Sequence, residues 1–146
     1  EKTVAMAQNK IDFMKRGKSK YFAASALAGI YVGFGILLIF TVGGLLAQAA
    51  SPVVRIVMGA SFGIALSLVL MAGAELLTGN NMIITIANLE RKASFADTAS
   101  IYILNFAGNM LGSILLAGLF YFSGLLQGGT AAFIVKTAQV KMSLPW

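Results

Sequence analysis

The sequence has no cysteine and no histidine, only two prolines, and few charges. Without cysteine there is no disulfide and no thiolate metal site. Without histidine the commonest general base and the commonest metal ligand are missing. No nucleophile–base pair stands out. An enzyme is therefore the least supported class, and no metal or cofactor is expected. Charged residues make up 11% of the 146 positions and apolar residues 58%. Soluble domains carry about a quarter charged residues. A water-soluble domain of this size cannot hide so much apolar surface, so the fold class is all-α integral membrane.

The charge present is concentrated. The net value is +6, and Lys2, Lys10, Lys15, Arg16, Lys18 and Lys20 all precede the first long apolar run. Because a membrane span follows at once, this basic stretch reads as the positive-inside flank of that span rather than as a nucleic-acid site. The N-terminus is expected in the cytoplasm, and the leader is too extended for a cleavable signal peptide. Residues 1–20 read as an amphipathic helix on the cytoplasmic surface, with Val4, Ala7, Ile11 and Met14 spaced along one face opposite the lysines.

From Tyr21 to Val54 there is no charge over roughly 34 residues, where about 20 suffice to cross the hydrocarbon. The first span is expected over Tyr21–Gln48, ending before Ser51-Pro52. A second apolar region runs from Val53 to Leu89. As one straight helix it would be roughly 55 Å long against a hydrocarbon core of about 30 Å. At its centre, between IALSLVLM and IITIANL, stands the stretch AGAELLTGNNM of residues 72–82. Two shorter helices joined by a loop at membrane depth account for both the length and the polar residues. Such backbone is tolerated there only inside protein or beside a water-filled cavity. Glu90, Arg91 and Lys92 mark a short cytoplasmic loop. A third span follows over Asp97–Leu126, with Asp97 near its N-terminal cap. Residues 127–146 read as an external connection, with Trp146 suited to an interface. Each span carries a small-xxx-small pair, Gly29 with Gly33, Gly59 with Gly63 and Gly108 with Gly112, which suits tight bundling and an oligomer.

The chemistry concentrates at the break. An ionised Glu75 at mid-membrane costs at least about 2.5–3.5 kcal/mol unless it is paired, protonated or wetted. It either relays protons or an ion, or it accepts hydrogen bonds from loop amides or from Asn105 and Asn109 and so holds the loop. Those two asparagines lie four apart on one face of the third span. Thr78 is expected at the loop tip, where its hydroxyl either donates to a passing anion or caps the backbone. Gly79 is expected to need a positive φ, and Asn80 or Asn81 to cap the second half-helix. That half-helix then aims its positive end at the midplane, which favours a small anion. Phe62, Leu66, Leu70 and Leu76 either pack against lipid and helices or form an apolar constriction. Lys141 either draws anions to an external mouth or is a solvated loop lysine.

The segments LAGIYVGFGILLIFTVGGLL, VMGASFGIALSLVLMAGAELLTGNNM and, further on, KTAQVK resemble the formate/nitrite transporter family over essentially the whole chain. The resemblance implies an aquaporin-like fold of six spans in two inverted three-span repeats. It also implies homo-pentamers in the cytoplasmic (inner) membrane with one pore per subunit, conducting formate, nitrite or hydrosulfide. Carried onto this sequence, Thr78 faces the path, Leu76 forms the inner constriction, Phe62 and Leu66 contribute to the outer one, and Lys141 biases the pore towards anions. The pore histidine, second broken helix and inner phenylalanine of the family's second half are not in this sequence. The chain is accordingly expected to be a fragment, or to have its second repeat elsewhere. A weak-acid anion is expected to cross by borrowing a proton, so that flux rises as external pH falls. The YVGFGILLIFT and MGASFGIAL segments look closest to the nitrite branch, then hydrosulfide, then formate. Two rivals stand beside this reading: a half-size proton-coupled transporter relying on Glu75, and a structural membrane subunit without a pore.

Overall fold

A computed structural model describes residues 1–145, and the expectation for Trp146 lies outside the described residues. Six helices follow one another: α1 (Lys2–Arg16), α2 (Lys18–Gln48), α3 (Val54–Ala72), α4 (Leu77–Leu89), α5 (Phe95–Phe122) and α6 (Gly128–Met142). Three of them, α2, α3 and α5, are long and apolar enough to cross a membrane.

Helix α2 is the hub, and its glycines explain why. Gly29 lies against the backbone of Asn109 on α5, and Gly33 faces the Leu116 side chain. In return, Gly108 and Gly112 of α5 lie against Ser25 and the Ala26 backbone of α2. A side chain at Gly29, Gly108 or Gly112 would push the helices apart, so glycine sets how closely they approach there, whereas at Gly33 the Leu116 side chain could turn aside. A further face of α2 takes α3 through Gly35 against Ala65, and its far end takes α6 through Gly43 and Gly44. Residues 127–146, read from sequence as a mere connection, thus include a helix folded back on α2, with Phe133 edge-on to Phe40 at 6.3 Å.

Helix α1 ends one residue before α2 begins, at Gly17. Its apolar face was expected on the membrane surface. Instead Ala7, Ile11 and Met14 are buried in one cluster with Ile83, Ile84 and Ala87 of α4, Tyr21 of α2 and Ile101 of α5. The complementary aliphatic face of α4 is the physical reason: burying one greasy stripe on another removes both from contact with water. The N-terminus of α5 is fixed by a reciprocal cap. The Asp97 amide donates to Ser94 Oγ at 3.0 Å, and Ser94 Oγ donates to the Asp97 carboxylate at 2.8 Å. Lys15 of α1 reaches the same carboxylate at 2.8 Å, tying α1 to the start of α5.

Candidate functional site

The long second apolar region is broken, but earlier than the polar residues suggest. Helix α3 stops at Gly73, whose φ of +62° is left-handed. The amides of Gly73 and Ala74 turn back to the carbonyls of Leu70 (3.3 Å) and Val69 (3.0 Å), closing the helix with a glycine C-terminal motif. Helix α4 begins at Leu77, with extended Leu76 as its cap residue. The non-helical gap is therefore residues 73–76. This corrects three expectations. Thr78 is not at a loop tip but in the first turn of α4; Gly79 is helical, and Gly73 is the glycine that needs positive φ; neither Asn80 nor Asn81 caps the helix.

The cap comes from another helix. Asn109 of α5 accepts the Leu77 amide on Oδ1 at 2.9 Å. Its Nδ2 donates to the backbone carbonyls of Ser25 (2.7 Å) and Glu75 (3.0 Å). One side chain thus ties α2, the gap and α4 together. The Glu75 amide adds a bond to the Ala24 carbonyl at 3.3 Å.

The Glu75 carboxylate is buried and does not meet Asn105 or Asn109, contrary to expectation. Its Oε2 accepts from Lys10 Nζ at 2.8 Å, Asn80 Nδ2 at 2.7 Å and Tyr21 Oη at 3.2 Å. Lys10 is the partner that lowers the cost of burying this charge. Setting all the lysines opposite the apolar stripe, as the sequence reading does, hides it. Yet Lys10 lies three residues after Ala7 and four before Met14, on the stripe itself, and that spacing is the signal that identifies it. Next to this cluster, Ser25 Oγ lies 3.0 Å from the Tyr21 carbonyl and 2.8 Å from Asn105 Oδ1, but has one proton to give. Asn105 Nδ2 is buried without an acceptor. Turning the Asn105 amide over makes Nδ2 the donor to Ser25 and frees the serine proton for Tyr21.

Between α1, α3 and α4 lies a groove of about 390 Å³. Leu66 and Leu70 of α3, Leu76 of the gap, Thr78, Gly79 and Asn80 of α4, and Lys10 all line it. The Thr78 hydroxyl and the Thr78 and Gly79 amides find no acceptor among the described residues. They form the free positive end of α4, open to the groove. The structure thus brings Leu66, Leu76, Thr78, Gly79 and Asn80 together. Phe62 stands one helical turn from Leu66 on α3 and does not line the groove, and Asn81 lines a separate one against α5 with Tyr102, whose Oη donates to the Asn81 carbonyl at 3.3 Å. Lys141 is not a loop lysine: it sits on α6 and lines a separate groove with Gln48 and Phe133 at the other end of α2. Among the described residues no cluster of acidic groups offers a metal site.

The family model for the formate/nitrite transporters matches residues 1–146. The chain belongs to the formate/nitrite transporter family. Among its relatives in this family, the nitrite transporter NirC of Escherichia coli is 43% identical over 104 residues, 71% of this chain and 38% of that protein. A probable formate transporter of Methanothermobacter thermautotrophicus is 36% identical over 111 residues, 75% of this chain and 39% of that protein. A solved structure described as an FNT family ion channel superposes with a TM-score of 0.88 at 36% identity, over 99% of this chain and 57% of that one. The chain spans about two-fifths to just over half the length of these relatives.

Proposed function

We propose that this chain lines a pathway by which small monovalent anions of weak acids, nitrite first, then hydrosulfide and formate, cross the cytoplasmic membrane. The observation that carries the proposal is the open first turn of α4, with the unpartnered hydroxyl of Thr78 and two free amides facing an apolar groove. Hydrogen-bond donors at a helix N-terminus favour an anion. The leucines around them make a bare charge costly, so the anion is bound briefly and passes best when it takes up a proton. In this reading Leu76 narrows the inner side of the path, Phe62 and Leu66 the outer side, and Lys141 draws anions towards the outer mouth. The working unit is a homo-pentamer of the whole protein in the inner membrane, N-terminus inside. The names of the relatives support nitrite over formate only by their higher identity.

Glu75 belongs to the loop anchor in this reading, not to a proton relay. Its carboxylate already holds a cation and two neutral donors. The test is stopped-flow uptake of nitrite, hydrosulfide and formate into liposomes carrying the whole protein. Uptake is expected to rise as external pH falls and to drop strongly in Thr78→Val, with the protein still folded and inserted. Uptake that follows anion concentration with no dependence on pH, or that survives Thr78→Val unchanged, overturns the proposal.

A further inference from the structure

One side chain holds the backbone on both sides of Leu76. Leu76 is extended, with φ −91° and ψ 128°. Extended backbone sends the carbonyl of the residue before it and the amide of the residue after it to the same edge. Asn109 of α5 meets that edge with both ends of its carboxamide. Its Nδ2 donates to the Glu75 carbonyl at 3.0 Å, and its Oδ1 accepts the Leu77 amide at 2.9 Å. The second Nδ2 proton goes to the Ser25 carbonyl of α2 at 2.7 Å. Turning this amide over would set Nδ2 against the Leu77 amide and Oδ1 against two carbonyls, so its partners dictate the orientation.

The clamp stands on a rigid base. The Asn109 backbone lies against Gly29 of α2, at one of the close glycine contacts between α2 and α5, and Ser113 Oγ donates to the Asn109 carbonyl at 2.8 Å. All of these partners belong to α2, α4, α5 and the gap between α3 and α4. On the other side of the clamp, Leu76 lines the groove beside Thr78, and Asn109 does not. Asn109 therefore reaches the groove only through Leu76. A leucine discriminates by size only if its backbone does not yield, because a loosely held one moves aside for a larger solute. We propose that Asn109 is a positioning residue for size selection. By fixing the Leu76 backbone it holds the constriction narrow, so that the path admits compact anions such as nitrite and formate and slows longer monocarboxylates. The inference rests on the anion path proposed above, with Leu76 as its inner constriction.

The experiment takes the whole protein in liposomes and compares stopped-flow uptake of formate, acetate and propionate at one external pH. The readout is the formate-to-propionate ratio, which a smaller amount of folded protein leaves unchanged. Asn109→Ala is expected to lower this ratio about tenfold relative to the parent, the scale on which a shaped apolar site senses one methylene. Asn109→Asp keeps the shape and the acceptor for the Leu77 amide but, ionised, has no proton for the Glu75 carbonyl. It is expected to lower the ratio about threefold, the scale of one weak neutral hydrogen bond, and it supplies the answer where the alanine variant does not fold. Leu76→Ala is expected to lower the ratio as far as Asn109→Ala does, and the double variant no further, because both act on one element. Asn109 variants that keep the parental ratio while Thr78→Val lowers uptake overturn the positioning role and leave the anion path standing. Losses that multiply in the double variant put the effect of Asn109 elsewhere than Leu76 and overturn it as well. Uptake untouched by Thr78→Val overturns the path itself, and this inference with it.

Discussion

Lys10 and Glu75 show how one side chain decides the cost of another. The carboxylate is 7% exposed and the lysine 20%. Removing one partner from a buried pair costs about 3–5 kcal/mol, and the partial exposure of Lys10 brings the expected loss for Lys10→Met down to about 2–3 kcal/mol. Glu75→Gln is expected to cost a similar amount, because it leaves the lysine without its counter-charge while Asn80 and Tyr21 keep an acceptor. Combining the two removes both charges, so the double variant is expected to be more stable than the sum of the single losses by about 1–3 kcal/mol. A thermodynamic cycle from denaturant unfolding in detergent reads this directly, and strict additivity contradicts a Lys10–Glu75 interaction. Under the competing relay reading, Glu75→Gln instead abolishes proton-coupled uptake with little change in stability. Glu75 was legible in the sequence as a group that needs partners, because a lone carboxylate in an apolar run is conspicuous. Its partners were not legible, because Lys10 lies 65 positions away and Tyr21 lies 54 away.

At the level of elements, the break in the second span was legible from length alone, since no single helix of that extent fits the bilayer. Its position was not. Residues 78–81 are polar enough to be a loop, and only two facts place them inside α4: the left-handed Gly73 that ends α3, and the Asn109 side chain that starts α4 from across the interface with α5. Asn109 is therefore expected to matter more than an ordinary capping residue, because it also binds the carbonyls of Ser25 and Glu75. Asn109→Ala is expected to destabilise the protein by about 2–4 kcal/mol, the sum of a lost cap and two orphaned carbonyls. The loss is local in origin, so hydrogen exchange at the Leu77 and Asn80 amides, the two in the first turn that are bonded, is expected to accelerate before that of α2. Uniform acceleration across all helices would contradict the role of Asn109 as a cap. Gly73→Ala is expected to cost about 1 kcal/mol, from the left-handed backbone alone, since nothing crowds that position.

Across the whole molecule, the three glycine pairs look alike in sequence and behave differently in space. Gly29, Gly33, Gly108 and Gly112 are used up inside the chain, where α2 and α5 meet, while Gly59 and Gly63 of α3 have nothing within 4 Å of an added methyl. Sequence spacing marks a helix surface that permits close approach, but it does not say whether the neighbour belongs to the same chain. For a chain of about half its relatives' length, the open pair on α3 is where protein outside the described residues is expected to pack. Substitution at the two kinds of site separates these cases. Gly112→Leu forces a side chain into the Ala26 backbone and is expected to prevent stable packing of α2 on α5, so that little folded protein survives extraction. Gly63→Leu is expected to leave the helices of this chain intact by circular dichroism and to weaken what packs on α3. In the proposed homo-pentamer, native mass spectrometry of the whole protein then shows smaller assemblies or a lower dissociation threshold. If Gly63→Leu assembles as the parent does, α3 presents this face to lipid, and the homo-pentamer must draw its contacts from another surface.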